Sequence, residues 1–330
     1  MAINDKNILI LVGGVGGAKL AHGLAQILPP ERLTVVVNTG DDTWHYGLRV
    51  CPDLDTVSYT LADWIDKTKG WGVAEDSFTT LAALRRLGED AWFMVGDKDF
   101  ATHLTRTQAL NRGESLTAVT QKLTKALGIR QTILPMTDAV VATKLLTAEQ
   151  GELDFQTYFV RERWQPTVTS IRFDGIEGAT VSPEVAQAID LADIILFGPS
   201  NPWLSIAPIL AVPGLRERLI ACDVPRVALS PIVGGEAIKG PAAKLMAEMG
   251  LTVTAATVAD YYHGVINGFV YDELDANLTI DGLRSTIFDT IMRSDEDRAV
   301  LARKILDWIG SWGGSYEHLG NHSGQTTDPG

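Results

Sequence analysis

The sequence predicts an α/β fold: a Rossmann-like, doubly wound, mainly parallel sheet with a helical insertion and a small β-hairpin region. Three observations lead to this prediction. The nearly wholly apolar run Asn7–Val12 is followed by a glycine-rich loop and a helical segment. A second apolar run, Leu33–Asn38, then completes a βαβ unit. After residue 190, strand and helix patterns alternate again, as they do in parallel doubly wound sheets.

The first half of the chain continues this pattern with a helical stretch. The first helix is predicted over Ala18–Leu28, and glycines with acidic residues predict a loop over 39–50. Residues 54–127 are interpreted as a helical insertion over the sheet. Its helices begin near N-cap candidates or acidic residues, and are predicted at Asp55–Asp66, Ser77–Leu87, Asp99–Asn111 and Ser115–Leu127. Strands are then predicted at Gln131–Pro135, Ala142–Thr147 and Glu152–Val160.

The second half supplies the remaining alternation. Its predicted strands are Asp193–Gly198, Pro225–Ser230 and Thr252–Ala256, and its predicted helices are Ser205–Val212, Pro241–Met249 and Asp295–Trp312. Ser294 is the expected N-cap of the last helix. We expect residues 1–312 to form a single α/β catalytic domain and the polar, glycine-rich residues 313–330 to form a tail.

Charge and cysteine content exclude several classes of protein. The net charge of −13 disfavours nonspecific nucleic-acid binding, because an acidic chain repels phosphates. Two cysteines, Cys51 and Cys222, form neither a disulfide framework nor a zinc-finger pattern. The longest apolar runs fall well short of the ~18 residues of a membrane span. We therefore predict a cytoplasmic protein with no nucleic-acid or membrane partner.

The loop after the first strand is a candidate phosphate-binding site. Gly13, Gly14, Gly16 and Gly17 let backbone N–H groups approach an anion at a helix N-terminus. Lys19 stands where a dinucleotide fingerprint requires Gly or Ala, and no Walker A lysine follows. The alternative interpretation is a purely structural tight turn.

Four carboxylates follow the second strand. The segments Asn38-Thr39-Gly40-Asp41-Asp42 and Cys51-Pro52-Asp53-Leu54-Asp55 place them where open α/β sheets bind ligands. Oxygen ligands of this kind suit Mg²⁺. Alternatively, Asp53 or Asp55 caps the next helix and Asp42 is a turn residue.

Three further loops carry candidate residues. Gly96-Asp97-Lys98-Asp99 precedes a predicted helix on which His103 and Arg106 share a face, and Lys98 or Arg106 could offset phosphate charge. Segments 198–202 and 230–235 each follow a predicted strand. In a parallel sheet both lie at the same edge as the first glycine loop, which favours a nucleotide crevice over isolated turns.

Six short motifs, in this order, closely resemble the 2-phospho-L-lactate transferase family of coenzyme F-420 biosynthesis. They are Gly-Gly-Val-Gly-Gly-Ala-Lys, Asn-Thr-Gly-Asp-Asp, Cys-Pro-Asp-Leu-Asp-Thr, Gly-Asp-Lys-Asp-Phe-Ala-Thr-His, Gly-Pro-Ser-Asn-Pro and Ser-Pro-Ile-Val-Gly-Gly. The resemblance runs from Ile8 to Glu273. It implies transfer of a phospholactyl or phosphoenolpyruvyl group from a guanosine diphosphate ester to the terminal ribityl hydroxyl of the deazaflavin Fo. GMP leaves, F-420-0 or its dehydro form is produced, and Mg²⁺ assists.

The resemblance also implies roles for individual residues. Asp55, the candidate general base, and Asp42 are the candidate catalytic residues, and Asp42, Asp53 and Asp55 are the candidate Mg²⁺ ligands. The candidate substrate-binding residues are Gly13, Gly14, Gly16, Gly17, Lys19, Asn38, Thr39, Lys98, His103, Ser200, Asn201, Ser230, Gly234 and Gly235. Arg is common in the family at the position of Lys98, and Lys lacks the bidentate geometry of Arg. A homodimer is expected by analogy.

Two other functions stay open at this stage. One is a nucleotide-sugar-binding regulator of the same superfamily, which the transferase-like segments 51–56 and 96–103 disfavour. The other is an NAD-dependent oxidoreductase, suggested by the βαβ start and disfavoured by Lys19.

Overall fold

A computed structural model describes residues 5–238 and 240–312 of the chain. The strands are β1 (Ile8–Val12), β2 (Leu33–Val37), β3 (Thr43–His45), β4 (Leu48–Val50), β5 (Thr132–Pro135), β6 (Ala142–Thr147), β7 (Gly151–Asp154), β8 (Val168–Asp174), β9 (Ile194–Phe197), β10 (Arg226–Leu229), β11 (Ile232–Val233), β12 (Glu236–Ala237), β13 (Gly268–Asp272) and β14 (Arg284–Phe288). The helices are α1 (Gly14–Ile27), α2 (Pro52–Leu61), α3 (Thr79–Arg86), α4 (Asp97–Asn111), α5 (Leu116–Ala126), α6 (Pro183–Asp190), α7 (Ala207–Ala211), α8 (Leu215–Ala221), α9 (Ala242–Glu248), α10 (Ala255–Tyr261) and α11 (Asp295–Gly310).

Seven of these strands form one sheet, in the order β14-β13-β10-β9-β1-β2-β5. Every neighbouring pair in it runs parallel. From β1 the chain order runs outward through β2 to β5, and from β9 it runs the other way through β10 and β13 to β14. The direction therefore reverses between β1 and β9, and such a switch point is where open α/β sheets bind ligands. The predicted fold class is confirmed.

The core lies on both faces of this sheet. All five residues of β1 are buried, and their side chains alternate between two hydrophobic clusters. Leu9 and Leu11 belong to one cluster, and Ile8, Ile10 and Val12 belong to the other. This two-sided burial explains why the strand reads as a continuous apolar run.

Helices α1 and α11 pack closely over one face of the sheet. A Cβ atom on Gly23 would lie 2.2 Å from the carbonyl oxygen of Arg298, so this contact requires glycine. Helix α11 begins as predicted, because Ser294 and Asp297 form a reciprocal capping box at its N-terminus.

Three smaller sheets accompany the main one: the hairpins β3-β4 and β11-β12, and an antiparallel sheet in the order β7-β6-β8. The antiparallel sheet is joined to the loop after β2. Thr143 donates its backbone N–H to the carbonyl of Gly40 at 2.6 Å, and Gln156 Nε2 donates to the carbonyl of Asp41 at 3.2 Å. The loop that carries Asp41 and Asp42 is therefore supported from outside the main sheet.

Several sequence predictions of individual elements are wrong. The strand predicted at Thr252–Ala256 does not form, because the Thr254 side chain accepts a hydrogen bond from the Thr257 N–H at 3.2 Å and caps α10. Residues 39–50 are not a simple loop, because β3 and β4 pair across a turn in which Tyr46 and Gly47 have positive φ. The strand predicted at 152–160 ends at Asp154, and a π-helical turn covers Thr157–Arg161.

The remaining differences concern boundaries and elements that were not predicted. Helix α1 begins at Gly14, four residues before the prediction, so the glycine loop forms its first turn. Helix α2 begins at Pro52 rather than Asp55, since proline fits the first helical position. A π-helical turn at Pro202–Ile206 precedes the short α7, where one helix was predicted over 205–212. Strands β8, β13 and β14 and helices α6, α8 and α10 were not predicted. The predicted tail at 313–330 lies outside the described residues.

Across residues 5–238 and 240–312, no helix combines the length and apolar character needed to cross a membrane.

Candidate active site

The loops after β1 and β9 meet directly at the switch point. Gly13 donates its backbone N–H to Ser200 Oγ at 3.0 Å. A Cβ atom on Gly16 would lie 2.3 Å from the carbonyl oxygen of Pro199, and one on Gly17 would lie 2.6 Å from Ser200 Oγ. The glycines therefore allow these two loops to touch, in addition to any contact with a ligand.

A carboxylate lies at the N-terminus of α1. Gly14 donates its N–H to Asp53 Oδ1 at 2.6 Å, and Asn38 Nδ2 donates to Asp53 Oδ2 at 2.9 Å. A helix N-terminus favours negative charge, and here Asp53 supplies it. Asp53, from the first turn of α2, thus joins the loops that follow β1 and β2.

Asp42 lies at the start of the β3-β4 hairpin and is held on one side. Its Oδ2 accepts a hydrogen bond from Arg49 Nη2 at 3.0 Å and another from the Cys51 thiol at 2.9 Å. Its Oδ1 is buried and has no hydrogen-bond partner in the part of the chain that the structure describes. One oxygen of this buried carboxylate therefore has its hydrogen-bonding capacity unused.

Asp55 belongs to a buried chain of polar contacts. Arg106 donates to both of its carboxylate oxygens, to Oδ2 at 3.1 Å. His103 lies between two carboxylates, with Nδ1 3.5 Å from Asp55 Oδ2 and Nε2 3.3 Å from Asp99 Oδ1. Tyr59 donates its hydroxyl to Asp99 Oδ1 at 2.7 Å. These contacts with side chains of α4 fix the orientation of Asp55.

Burial makes three carboxylates of the crevice, those of Asp41, Asp42 and Asp53, reluctant to ionise. It raises the pKa of Asp42 to about 6, although Arg49 opposes the shift. Burial also raises the pKa of Asp53 to about 6, against the hydrogen bonds that Asp53 accepts. The pKa of Asp41 lies well above its usual value because of burial and because of the neighbouring charges of Asp53 and Asp42.

The crevice holds more acidic than basic groups, and this suits a cation. Its carboxylates outnumber the guanidinium groups that reach them; the carboxylates are Asp41, Asp42, Asp53, Asp55 and Asp99, and the guanidiniums are Arg49 and Arg106. The free Oδ1 of Asp42 and the unpartnered buried hydroxyl of Thr39 are hard oxygen donors of the kind that Mg²⁺ binds. The residues present therefore fit a divalent cation.

The three predicted metal ligands nevertheless have different partners. Among the described residues, one set of three His, Cys, Asp or Glu donors has all its ligand atoms within 4.8 Å, and it consists of Asp55, Asp99 and His103. Asp42 and Asp53 are not part of that set. The contacts distinguish the predicted ligands: Asp53 and Asp55 have both oxygens engaged, and Asp42 has one free.

The Gly96–Asp99 segment has a structural role at the ends of two helices. Asp97, in α4, accepts hydrogen bonds from the N–H groups of Thr79 and Thr80 at the start of α3, at 3.0 and 2.9 Å. Asp76, before α3, accepts from the N–H groups of Lys98 and Asp99 at 2.8 and 3.1 Å. We call Asp76 and Asp97 the reciprocal clamp, because each caps the helix that the other precedes or begins.

The side chains of three other predicted substrate-binding residues donate hydrogen bonds to backbone carbonyls. The ammonium group of Lys19 donates to the Met292 carbonyl at 2.9 Å, and that of the exposed Lys98 donates to the Ala74 carbonyl at 2.9 Å. Ser230 Oγ donates to the Ile232 carbonyl at 2.8 Å.

The two remaining predicted loops differ in whether a polar side chain is left without a hydrogen-bond partner. Gly234 and Gly235 have φ of 59° and 79° and form the turn between β11 and β12. Asn201 Oδ1 accepts from the N–H groups of Trp203 and Leu204, whereas its buried Nδ2 has no partner in the described part of the chain. Asn201 therefore has a free donor at the carboxyl edge of β9.

The sequence predicted His103 as a substrate-binding residue and placed Arg106 on the same helix face, but it gave no role to Asp99, Arg49 or Cys51. Asp99 lies four residues before His103 on α4, a spacing that places the two on one helix face and could have been used. Arg49 and Cys51 gave no comparable signal, because their contact with Asp42 depends on the unpredicted β3-β4 hairpin.

The sheet and its crevice define a doubly wound α/β protein with an acidic site at the switch point. The sequence profile of the family described as 2-phospho-L-lactate transferase CofD matches residues 8–296. The chain belongs to this family and is therefore a transferase.

Individual relatives agree with this family. The chain is 41% identical over 303 residues to a 2-phospho-L-lactate transferase of Methanosarcina mazei, covering 91% of this chain and 99% of the relative. It is 41% identical over 309 residues to a phosphoenolpyruvate transferase of Streptomyces griseus, covering 91% and 97%. A crystal structure of a UPF0052 family protein from Bacillus halodurans shares the fold, with a TM-score of 0.60 at 15% identity, covering 91% and 99%. The relatives support phospholactate or phosphoenolpyruvate transfer as the class of activity.

Proposed function

We propose that the chain transfers a phospholactyl or phosphoenolpyruvyl group from a guanosine diphosphate ester to the terminal ribityl hydroxyl of Fo. The hydroxyl oxygen forms a bond to the phosphorus that bears the three-carbon acid. The bond from that phosphorus to the bridging oxygen of GMP breaks, and GMP leaves. The hydroxyl proton passes to a carboxylate of the site, and the product is F-420-0 or dehydro-F-420-0.

The observation that carries this proposal is the buried acidic crevice at the switch point of a chain in this transferase family. Phosphoryl-type transfer depends on positioning and charge neutralisation more than on covalent catalysis. The crevice offers positioned carboxylates and arginines, and neither cysteine is set up as a nucleophile, because burial raises the pKa of both thiols.

Asp55 is the proposed general base. Arg106 and His103 hold its carboxylate, which leaves its orientation little freedom. Each carboxylate oxygen can accept more than one hydrogen bond, so Asp55 can still accept the proton of the Fo hydroxyl. Positioned bases of this kind contribute about 10²–10⁴-fold to a rate.

Asp42 is the first candidate among the proposed Mg²⁺ ligands, because its Oδ1 is unpartnered. Asp53 and Asp55 stay candidates, but their oxygens already accept hydrogen bonds and would have to bind the metal in addition to their present partners. When bound, Mg²⁺ would neutralise charge on the diphosphate and on leaving GMP. Asp53 also holds the two loops together, so its loss would disturb the site even if it binds no metal.

The guanylyl part of the donor is proposed to lie along the loops after β1, β9 and β10. The first turn of α1 presents backbone N–H groups, and the free Nδ2 of Asn201 can donate to a phosphate oxygen. Gly234 and Gly235 would contribute backbone at the neighbouring hairpin.

A direct assay tests the proposal. Purified protein with Mg²⁺ and Fo is given lactyl, enolpyruvyl and glyceryl guanosine diphosphate esters in parallel, and GMP and the charged deazaflavin are quantified. We expect GMP and deazaflavin product in equal amounts with at least one donor, and neither after chelation of the metal. Absence of GMP release with all three donors would contradict the proposed reaction. Sedimentation of the same sample tests the expected homodimer.

A further inference from the structure

The β3-β4 hairpin brings Cys51 to Asp42. Thr43 and Val50 are paired across the hairpin, so the residues immediately outside this pair are Asp42 on one strand and Cys51 on the other. The thiol donates to Asp42 Oδ2 at 2.9 Å, and both side chains are fully buried. The contact therefore follows from the strand register.

Two donors converge on the same oxygen. Arg49 Nη2 approaches Asp42 Oδ2 at 3.0 Å, beside the thiol of Cys51. A single donor would leave the carboxylate free to rotate about its Cβ–Cγ bond, whereas two donors on one oxygen define its plane. The other oxygen, Oδ1, is left without a partner among the described residues.

Cys51 is held in place as a hydrogen-bond donor. Its side chain is fully buried, and its thiol donates to Asp42 Oδ2 at 2.9 Å. The backbone on either side is fixed, because Cys51 lies between the end of β4 and Pro52 at the start of α2.

We propose that Cys51 is a positioning residue that, with Arg49, holds Asp42 so that Oδ1 is presented to the divalent cation. This inference rests on the proposed function, in which Asp42 is a metal ligand. Residues that orient metal ligands commonly affect metal affinity by about 10–100-fold. Cys51 itself touches neither substrate nor metal in this scheme, and it acts through Asp42.

The test compares Cys51→Ala, which removes the donor, with Cys51→Ser, which keeps one. Cys222→Ala is the matched control, because the Cys222 thiol is half-buried and donates to the backbone carbonyl of Arg218 at 3.3 Å. Mn²⁺ binding is measured without substrates by electron paramagnetic resonance. We expect Cys51→Ala to weaken binding about 10-fold, Cys51→Ser to recover most of the loss, and Cys222→Ala to match the wild type.

Infrared spectroscopy of the metal-free protein gives an independent readout. The S–H stretching band of Cys51, identified by its loss in Cys51→Ala, should lie at lower frequency than that of Cys222, because its acceptor is a carboxylate. Wild-type Mn²⁺ affinity in a folded Cys51→Ala variant would overturn the inference and leave the proposed function standing, as would an unshifted S–H band. Absence of Mn²⁺ binding by the wild type would overturn the inference together with the proposed role of Asp42 as a metal ligand, whereas the transfer reaction itself is tested by GMP release. If Cys51→Ala does not fold, the Cys51 band is identified by its loss in Cys51→Ser, and its frequency decides.

Discussion

The reciprocal clamp of Asp76 and Asp97 differs from the carboxylates of the crevice in how the protein solvates each charge. Asp97 accepts hydrogen bonds from two backbone N–H groups and from the Ser77 hydroxyl, and these bonds hold its pKa well below the usual value. Asp42 and Asp53 are buried, and burial raises their pKa to about 6. Asp97 therefore stabilises a helix end as an ionised carboxylate, whereas Asp42 and Asp53 are strained when they ionise, and a cation would relieve that strain.

The largest expected effect comes from removing the charge of Asp55. Asp55→Asn should lower kcat by about 10²–10⁴-fold, because it removes the proposed base. It also leaves Arg106 buried beside a neutral partner, which should cost about 3–5 kcal/mol of unfolding free energy. Steady-state GMP release and urea unfolding measure the two effects.

A double variant separates catalysis from stability at Asp55. Asp55→Asn combined with Arg106→Gln removes the unpaired charge, so we expect it to recover much of the lost stability without restoring turnover. Turnover of the single variant at the wild-type rate would remove Asp55 from the mechanism.

A smaller effect is expected in the pH dependence of stability. The folded-state pKa of Asp42 is raised above its unfolded value, so ionisation of Asp42 costs stability, and this cost develops as pH rises from about 4 to 6. Asp42→Asn lacks this cost. In metal-free protein, the unfolding free energy of the variant relative to wild type should therefore rise by on the order of 2 kcal/mol between pH 4 and 7.

Subtracting the unfolding free energy of the wild type from that of Asp42→Asn removes the contributions of other titrating groups. Burial lowers the pKa values of His22 and His45, so the protein loses stability as pH falls below the pKa that these histidines have in the unfolded chain. This loss is the same in the wild type and in Asp42→Asn. Mg²⁺ should reduce the slope, because it binds the ionised carboxylates. A difference that stays constant from pH 4 to 7 would show that Asp42 is not strained.

The smallest expected effect lies in the clamp. Asp76→Ala removes the acceptor for the first N–H groups of α4 and should cost about 1 kcal/mol of unfolding free energy. Little change in kcat is expected, since the buried contacts of α4 with Asp55 do not involve Asp76. Thermal unfolding and GMP release measure both quantities. A loss of turnover as large as that of Asp55→Asn would abolish the distinction between the clamp and the crevice.

The site was only partly predictable from the sequence. The acidic segments 38–42 and 51–56 indicated a carboxylate cluster at the sheet edge, and the structure gathers those residues there. The partners of each carboxylate were not predictable, because they depend on contacts such as that of Arg106, 51 residues from Asp55 in the chain. The Gly96–Asp99 segment was read as a substrate loop, and the structure adds a capping role that depends on where α3 starts.

The sequence by itself determined the doubly wound fold, because strands buried on both faces leave continuous apolar runs separated by glycine-rich turns. It missed β13 and β14 and misplaced a strand at 252–256, because short segments carry too little periodicity to separate a strand from a helix cap. Only the tertiary structure decided which oxygen of which aspartate is free. That choice depends on distances between side chains from different elements, and these distances are set by strand register and helix packing.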